Sequence, residues 1–534
     1  MKIWIVSMEC AGISEAGGVK DVTFSICENL SKRGHEVTLF IPYFGCTTLD
    51  NLKDFKSGTA RTSVFLCAQQ IDVTYSTARF LNSNVNVVFV NHLAFLEKKA
   101  VYVYTKEEEN KNPRHECGKG HDDFHFLDTL LCSAVAGYGK IKNIHAPDIV
   151  HCQDASTAMT PVFIELLRPD FFKETKSVVT IHNAGGAYHH DFSNIDEASY
   201  YTALPWNWLQ NSMNGQRVEP FLIAAQFSLL TTVSTFYAEE ITDPSYSEST
   251  DGLSNVFYQK NITVKGITNG IEYSMYSPEN TKISLLPYAM NPCKRDFKGK
   301  LKNRKFFLEL CEKTDDFSLF ARSLPENRKK YLENFIRHGF LSKVDDEKNC
   351  IFLTYHGRLV WQKGLHVLSD AMDVILNEME NVRVSVAGQG DPQIENKLEK
   401  LSLKYPGKIV YFKGYNPSLS RLCVAQADFA VFPSDFEPCC LEDLVAQVFG
   451  TIPIANATGG LKKIIDGETG FLYSPNKPEE LCDAIRRASN LKFKEPETFC
   501  DMAVWTASYV KIFNSWKHVT DKYLNLFRKI IQGH

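Results

Sequence analysis

Three groups of polar residues in the second half of the chain stand at the ends of apolar runs, where side chains can meet a small molecule. Between Phe429 and Leu472, one run ends at Pro433 and Ser434, passes Glu437, Pro438 and Cys439, and enters a helical pattern at Leu441, Leu444 and Val445. That spacing predicts a carboxylate at a turn just before a helix. A second run, Ile452 to Ala455, passes Thr458, Gly459 and Gly460 into Leu461, Ile464 and Ile465. It predicts backbone N–H groups left free at a helix start, which is an anion site. Both turns suit a sugar phosphate. Upstream, Arg358 and Lys363 lie five residues apart in GRLVWQKG. The pair suits a diphosphate, with Arg as a bidentate fork and Lys as a point charge, although two such cations would equally fit a solvated loop. Gly388-Gln389-Gly390-Asp391-Pro392, taken alone, predicts only a tight turn.

The elements that must hold these groups form two series. Strand candidates at Lys2 to Ser7, Val37 to Tyr43, Val85 to Val90, Asp148 to His151, Ser177 to His182 and Leu229 to Val233 alternate with helical or irregular stretches. A second series starts near Cys350, with candidates at Ile351 to Tyr355, Val382 to Ala387, Ile409 to Phe412, Phe429 to Phe432 and Ile452 to Ala455. The βαβ pattern favours parallel, doubly wound sheets, and two Rossmann-like halves are the simplest reading. A length of 534 residues accommodates two large α/β domains. With 23% charged residues, 44% hydrophobic residues and a net charge of -4, the composition is that of a soluble globular protein and marks neither a nucleic-acid nor a membrane partner. The opening MKIWIVSMEC is too short for a signal h-region, so a cytoplasmic protein is expected. The fifteen cysteines contain no C-x-x-C pair and read as buried thiols. Glycines at 12, 17 and 18 lack G-x-G-x-x-G spacing, and no Gly-Lys pair is followed by Ser or Thr. A nicotinamide dehydrogenase is thereby disfavoured and a P-loop NTPase excluded.

GRLVWQKGL, AGQGDP, PSDFEPCCLEDL, GTIPIANATGGL and TGFLY, in that order, together with SMECAGISEAGGVKDV, DIVHCQDASTAMTP, TIHN, TTVSTFYAEEI and GITNGIEYSMYSPEN, resemble the bacterial-type glycogen synthases and plant starch synthases over nearly the whole chain. The resemblance implies an α/β GT-B fold: two Rossmann-like domains facing an interdomain cleft, with a C-terminal helix crossing back to the first. The implied domains are 1–280 on the acceptor side with a loop insertion at about 95–125, a helical linker at 281–349, a nucleotide-sugar domain at 350–505, and a closing helix at 506–534. It implies transfer of glucose from ADP-glucose or UDP-glucose, ADP-glucose favoured, to the non-reducing end of an α-1,4-glucan with retention, needing no metal and no cofactor. Arg358 and Lys363 would neutralise charge on the leaving diphosphate and Glu437 would bind glucose hydroxyls, as the catalytic set. Gly17, Gly18, Cys439, Thr458, Gly459 and Gly460 would hold the donor, while Gln153, Asp154, His182 and Asn183 would face the acceptor or sugar.

Three positions depart from the family pattern. Glu15 stands where the family's K-x-G-G motif has Lys; an ionised carboxylate close to a diphosphate costs on the order of a few kcal/mol, and Lys20 is the candidate replacement cation. The H-x-H-D-W-H motif reads His151-Cys152-Gln153-Asp154-Ala155-Ser156, so its second His is Gln153, which cannot accept a proton at neutral pH. Cys440 occupies a Gly position beside the donor turn. These departures keep two other readings open: a synthase-like protein that binds glucan or nucleotide sugar with weak or no activity, and a GT-B glycosyltransferase with a different acceptor.

Overall fold

Apolar runs punctuated by amphipathic helices assemble into two largely parallel sheets. The computed structural model describes residues 1–312, 326–344 and 347–533. The chain divides into two units: Met1–Asn269 with Val519–His534, and Gly270–His518.

The first unit contains β1 (Lys2–Val6), β2 (Glu36–Pro42), β3 (Leu52–Leu66), β4 (Gln69–Phe80), β5 (Asn86–Asn91), β6 (Ile149–Gln153), β7 (Lys176–Ile181), the short pair β8 (Met213–Asn214) and β9 (Arg217–Val218), β10 (Leu229–Thr232) and β11 (Val264–Gly266). Its main sheet runs β11-β10-β7-β6-β1-β2-β5-β4-β3. All neighbours are parallel except the β5-β4-β3 edge. From β1 the chain winds outward through β2 and β5, then returns to lay β6, β7 and β10 on the other side. The order therefore reverses between β1 and β6, and ligands of such sheets bind beyond the carboxyl ends of the strands at that point.

The second unit contains β12 (Phe335–Gly339), β13 (Ile351–His356), β14 (Val382–Gly388), β15 (Ile409–Gly414), β16 (Phe429–Phe432), β17 (Ile452–Asn456) and β18 (Phe471–Tyr473). Their order is β12-β15-β14-β13-β16-β17-β18, with β12 antiparallel to β15. Here the reversal falls between β13 and β16. Ile351, Leu353 and Tyr355 enter one buried cluster while Phe352 enters the other, as the two-residue strand repeat requires for a sheet covered on both faces.

Three expectations are corrected. The stretch 281–349, expected as a linker, belongs to the second unit; its residues 313–325 and 345–346 lie outside the described set. Its helix Lys298–Cys311 buries Phe306, Phe307 and Leu310. From the same helix Arg304 donates to Asp428 at 2.7 Å, and Lys492 reaches that buried carboxylate at 2.6 Å. A buried carboxylate needs such partners, so the helix is tied to the sheet. The insertion at 95–125 is built: Thr105 and Glu108 form a capping box on helix Lys106–Lys111, and Phe95, Val101 and Tyr104 are buried. The closing boundary falls at Val519 instead of 506, because helix Pro496–Phe513 is part of the second unit. Beyond it, Tyr523 and Phe527 of helix Trp516–Ile531 pack on the His151 ring of the first unit.

Candidate functional site

In the second unit, β13 and β16 end side by side at the order reversal, and their following turns carry Arg358, Lys363 and Glu437. Lys363 Nζ donates to Glu437 Oε2 at 2.5 Å, and Ser434 Oγ donates to the same oxygen at 3.1 Å. The Lys363 and Glu437 side chains are 19% and 8% exposed. Burial works against the Lys363 charge, yet the carboxylates of Glu437 and Glu442 overcome it and hold the ammonium protonated well above its ordinary range. Glu442 is the converse: burial raises its carboxyl pKa, but Lys363 and His356 outweigh this and keep it below the usual carboxylate range. Arg358 is exposed, its carbonyl accepting from the Tyr355 hydroxyl at 2.9 Å.

The loops close on one another through glycines and one lysine. Gly364 adopts φ 66°, and a Cβ there would lie 1.6 Å from the Pro433 carbonyl oxygen. At Gly460 a Cβ would meet Cys439 Cα at 2.3 Å. Only glycine permits either approach. Buried Lys463 donates to the carbonyls of Cys439 (2.7 Å), Cys440 (3.0 Å) and Gly460 (3.1 Å) and to Asp443 Oδ1 (2.8 Å). It thus staples the turn after β16 to the turn after β17. Cys440, at the family's Gly position, sits in the left-handed region at φ 57°. A non-glycine residue there carries strain of about 1–2 kcal/mol, and the Lys463 bond to its carbonyl holds that conformation.

The turn at Thr458, Gly459 and Gly460 differs from the helix start expected. It is a 3-10 turn, Gly459–Lys463, and the Gly460 N–H donates to the Glu437 carbonyl at 2.8 Å. That N–H is therefore spent on holding Glu437. Thr458 Oγ1 donates to the Asp435 carbonyl at 3.2 Å.

In the first unit, the residues at the ends of β6 and β7 come together. Gln153 Oε1 accepts from His182 Nε2 at 2.8 Å, while Asp154 Oδ1 accepts the His182 backbone N–H at 3.2 Å. Burial pushes the imidazole of His182 down to about 3, so it is neutral at physiological pH. Burial also raises Asp154 to about 7 against the pull of the His182 N–H and His190. Asn183 Oδ1 accepts from Gly185 N at 2.8 Å and so shapes the same turn.

The glycine loop after β1 is organised by its own carboxylates. Glu15 turns back to accept the Gly12 N–H at 2.6 Å, and Lys20 pairs with Asp21 at 3.0 Å. Glu9 is buried and accepts from Ala16 N at 2.9 Å and Gly17 N at 2.6 Å. The Gly17 N–H expected to face a donor is thus engaged, whereas Gly18 begins helix Val19–Lys32 with open space about its Cα. Burial lifts the Glu9 carboxyl above its ordinary range despite those two N–H donors. Glu9 and Lys463 escaped the sequence reading. A carboxylate directly after the first buried strand, and a lysine inside an otherwise apolar LKKII stretch, were the available signals.

Two doubly wound units, each with its polar residues at the reversal of a parallel sheet, and the second with a lysine–glutamate pair there, define a glycosyltransferase of the GT-B class. A family model described as the starch synthase catalytic domain matches residues 2–256, and one described as glycosyl transferases group 1 matches residues 351–490. The chain is 27% identical to a glycogen synthase of Thermodesulfovibrio yellowstonii over 99% of its own length and 98% of that protein. It is 28% identical to a glycogen synthase of Treponema denticola, covering 100% and 99% of the two. The solved catalytic domain of starch synthase IV from Arabidopsis thaliana, bound to ADP and acarbose, shares the fold with a TM-score of 0.77 at 22% identity, over 99% of each chain. The chain belongs to the bacterial-type glycogen synthase and starch synthase family and is a glucosyltransferase.

Proposed function

We propose that this chain is a glycogen (starch) synthase, transferring glucose from a nucleotide diphosphate glucose, ADP-glucose favoured, to the non-reducing end of an α-1,4-glucan with retention. The observation that carries the reading is the Lys363–Glu437 pair at the sheet reversal, with exposed Arg358 on the preceding turn. Donor diphosphate oxygens would take Lys363 and Arg358 as counter-charges, in a partly buried setting where such interactions are stronger than in water. Glu437 would orient Lys363 and accept from glucose hydroxyls. The bond from the glucose anomeric carbon to the diphosphate breaks as the bond to the acceptor oxygen forms. The acceptor's proton passes to the leaving phosphate, so Gln153 and neutral His182 need carry no proton. No cofactor beyond the nucleotide sugar enters this scheme. Among the described residues no helix is long and apolar enough to cross a membrane. The fifteen thiols, ten of them buried and none in a disulfide, support a cytoplasmic location.

The test is incorporation of labelled glucose from ADP-glucose or UDP-glucose into a glycogen primer. The reading expects incorporation. Glucan binding without incorporation from either donor would instead establish the binding protein, the second reading favoured by Gln153, Glu15 and the strained Cys440. Binding of ADP-glucose with transfer only to a non-glucan acceptor would establish the third.

A further inference from the structure

We propose that His189, Asp191 and Glu219, which the fold of the first unit brings together beneath the turn carrying His182 and Asn183, form a binding site for a first-row divalent metal ion. The sequence Tyr188-His189-His190-Asp191 follows the 3-10 turn Gly186–Tyr188. Glu219 arrives from the end of β9, and its Oε1 accepts the N–H of Phe221 at 3.2 Å as the cap of helix Pro220–Ala225. Its other oxygen points inward. One ligand atom from each of the three residues lies within 4.8 Å of the other two, and His189 Nδ1, Asp191 Oδ2 and Glu219 Oε2 are buried atoms held by charge, Nδ1 against Oε2 at 2.9 Å and Oδ2 against Arg217 at 2.9 Å.

The imidazole is oriented as a ligand. His189 Nε2 lies 2.8 Å from the Ala184 carbonyl, a contact only an N–H can make, so Nε2 carries a proton. The other nitrogen, Nδ1, is 2.9 Å from Glu219 Oε2 with both side chains fully buried; against the opposing effect of burial, the Glu219 carboxylate holds the imidazole protonated up to about 9, so without metal the two form an ion pair whose proton an incoming ion would displace. An imidazole whose outer N–H is held by a backbone carbonyl is the arrangement that metal-ligating histidines share.

Charge agrees with geometry. Arg217 lies 2.9 Å from Asp191 and 2.6 Å from Asp251, so these two carboxylates share one guanidinium while Glu219 faces His189. A protonated His189 would neutralise half of the remaining charge, and a divalent ion would neutralise all of it. With an ion bound, Arg217 keeps Asp251. One nitrogen and two carboxylate oxygens match Zn²⁺, Co²⁺ or Mn²⁺ better than Ca²⁺ or Mg²⁺, which favour all-oxygen shells. Bonds of about 2.0–2.2 Å to such an ion are reached by small side-chain shifts from the present spacing. The ion would fix residues 182–191, whose His190 already binds Asp128 at 2.5 Å, and so act as a positioning element for His182 and Asn183.

The experiment uses the full chain, stripped with a chelator and titrated with Co²⁺ and Zn²⁺. One ion per chain is expected, with visible d–d bands for Co²⁺ and no thiolate charge-transfer band. Glu219→Gln and Asp191→Asn should each weaken binding at least about tenfold. Asp191, 17% exposed, is the variant that spares the core, and its unfolding temperature without metal should match wild type within the change seen for Asp251→Asn. Absence of binding, thiolate bands alone, or equal affinity in wild type and Asp191→Asn would overturn the proposal and leave His189–Glu219 as an internal ion pair.

Discussion

Glu437→Gln is the most informative single substitution, because it removes one charge while keeping the side chain's size and its ability to accept from Ser434. In the wild-type protein Lys363 Nζ and Glu437 Oε2 are 2.5 Å apart and Glu437 is 8% exposed. A hydrogen bond to a charged group in such a place contributes about 1.5–3 kcal/mol. Glu442 continues to oppose Lys363 in the variant, so the ammonium stays charged but loses the partner that aims it. If that aim is used in the transition state, the loss converts at about 1.4 kcal/mol per factor of ten into a fall of roughly ten- to 150-fold in kcat/KM. The assay is the initial rate of glucose incorporation from ADP-glucose into glycogen, with unfolding temperature measured in parallel so that misfolding is recognised. Lys363→Gln and the double variant complete a cycle in which coupling of at least about 1 kcal/mol is expected. A folded Glu437→Gln enzyme within threefold of wild type, or additive effects in the cycle, would refute the idea that the pair acts as a unit.

Two further outcomes follow from buried charges. Lys463→Met leaves Asp443, which is fully buried, without its cation and should lower stability by about 3–5 kcal/mol, whereas Lys463→Met combined with Asp443→Asn should recover much of the loss in urea unfolding. Asp154 is protonated more readily in the folded protein than in the unfolded chain, at about 7 against an ordinary 3.8. Its contribution is therefore complete below the unfolded value and is lost as pH rises through the folded one. Asp154→Asn should flatten the unfolding-temperature profile across that window and gain on wild type above it; an unchanged slope would show that another group carries the dependence.

Most of the parallel strands were legible because they are buried on both faces and read as apolar runs; the three-residue β11, half-exposed, and the three-residue β18 were not. The β3-β4 hairpin was not: Lys53, Asp54, Lys56 and Arg61 lie on an exposed edge strand, where nothing requires apolar alternation. β12 was hidden for a related reason, since Phe335 to Gly339 follows a lysine-rich stretch and only tertiary pairing with β15 makes it a strand. At the site, residue types and spacing singled out Lys363 with Arg358 on one turn and Glu437 on another, and a family pattern reinforced them; that Lys363 meets Glu437 is a contact between residues 74 apart that spacing does not encode. Whether a given N–H was open could not be read, because Gly17 and Gly460 are engaged by Glu9 and by the Glu437 carbonyl across the fold. The turn of Glu15 toward Gly12 was likewise a matter of side-chain direction, which spacing does not encode.

Tyr523 and Phe527 complete the packing around His151, so the first unit is interrupted by the second along the chain. During synthesis that packing must wait for roughly 250 intervening residues, which take about 10–50 s at ordinary elongation rates. Until then the face of β6 that the two rings cover is open to chaperones and to premature partners. Translation speed through residues 270–518 is thus a variable on which the yield of native protein depends.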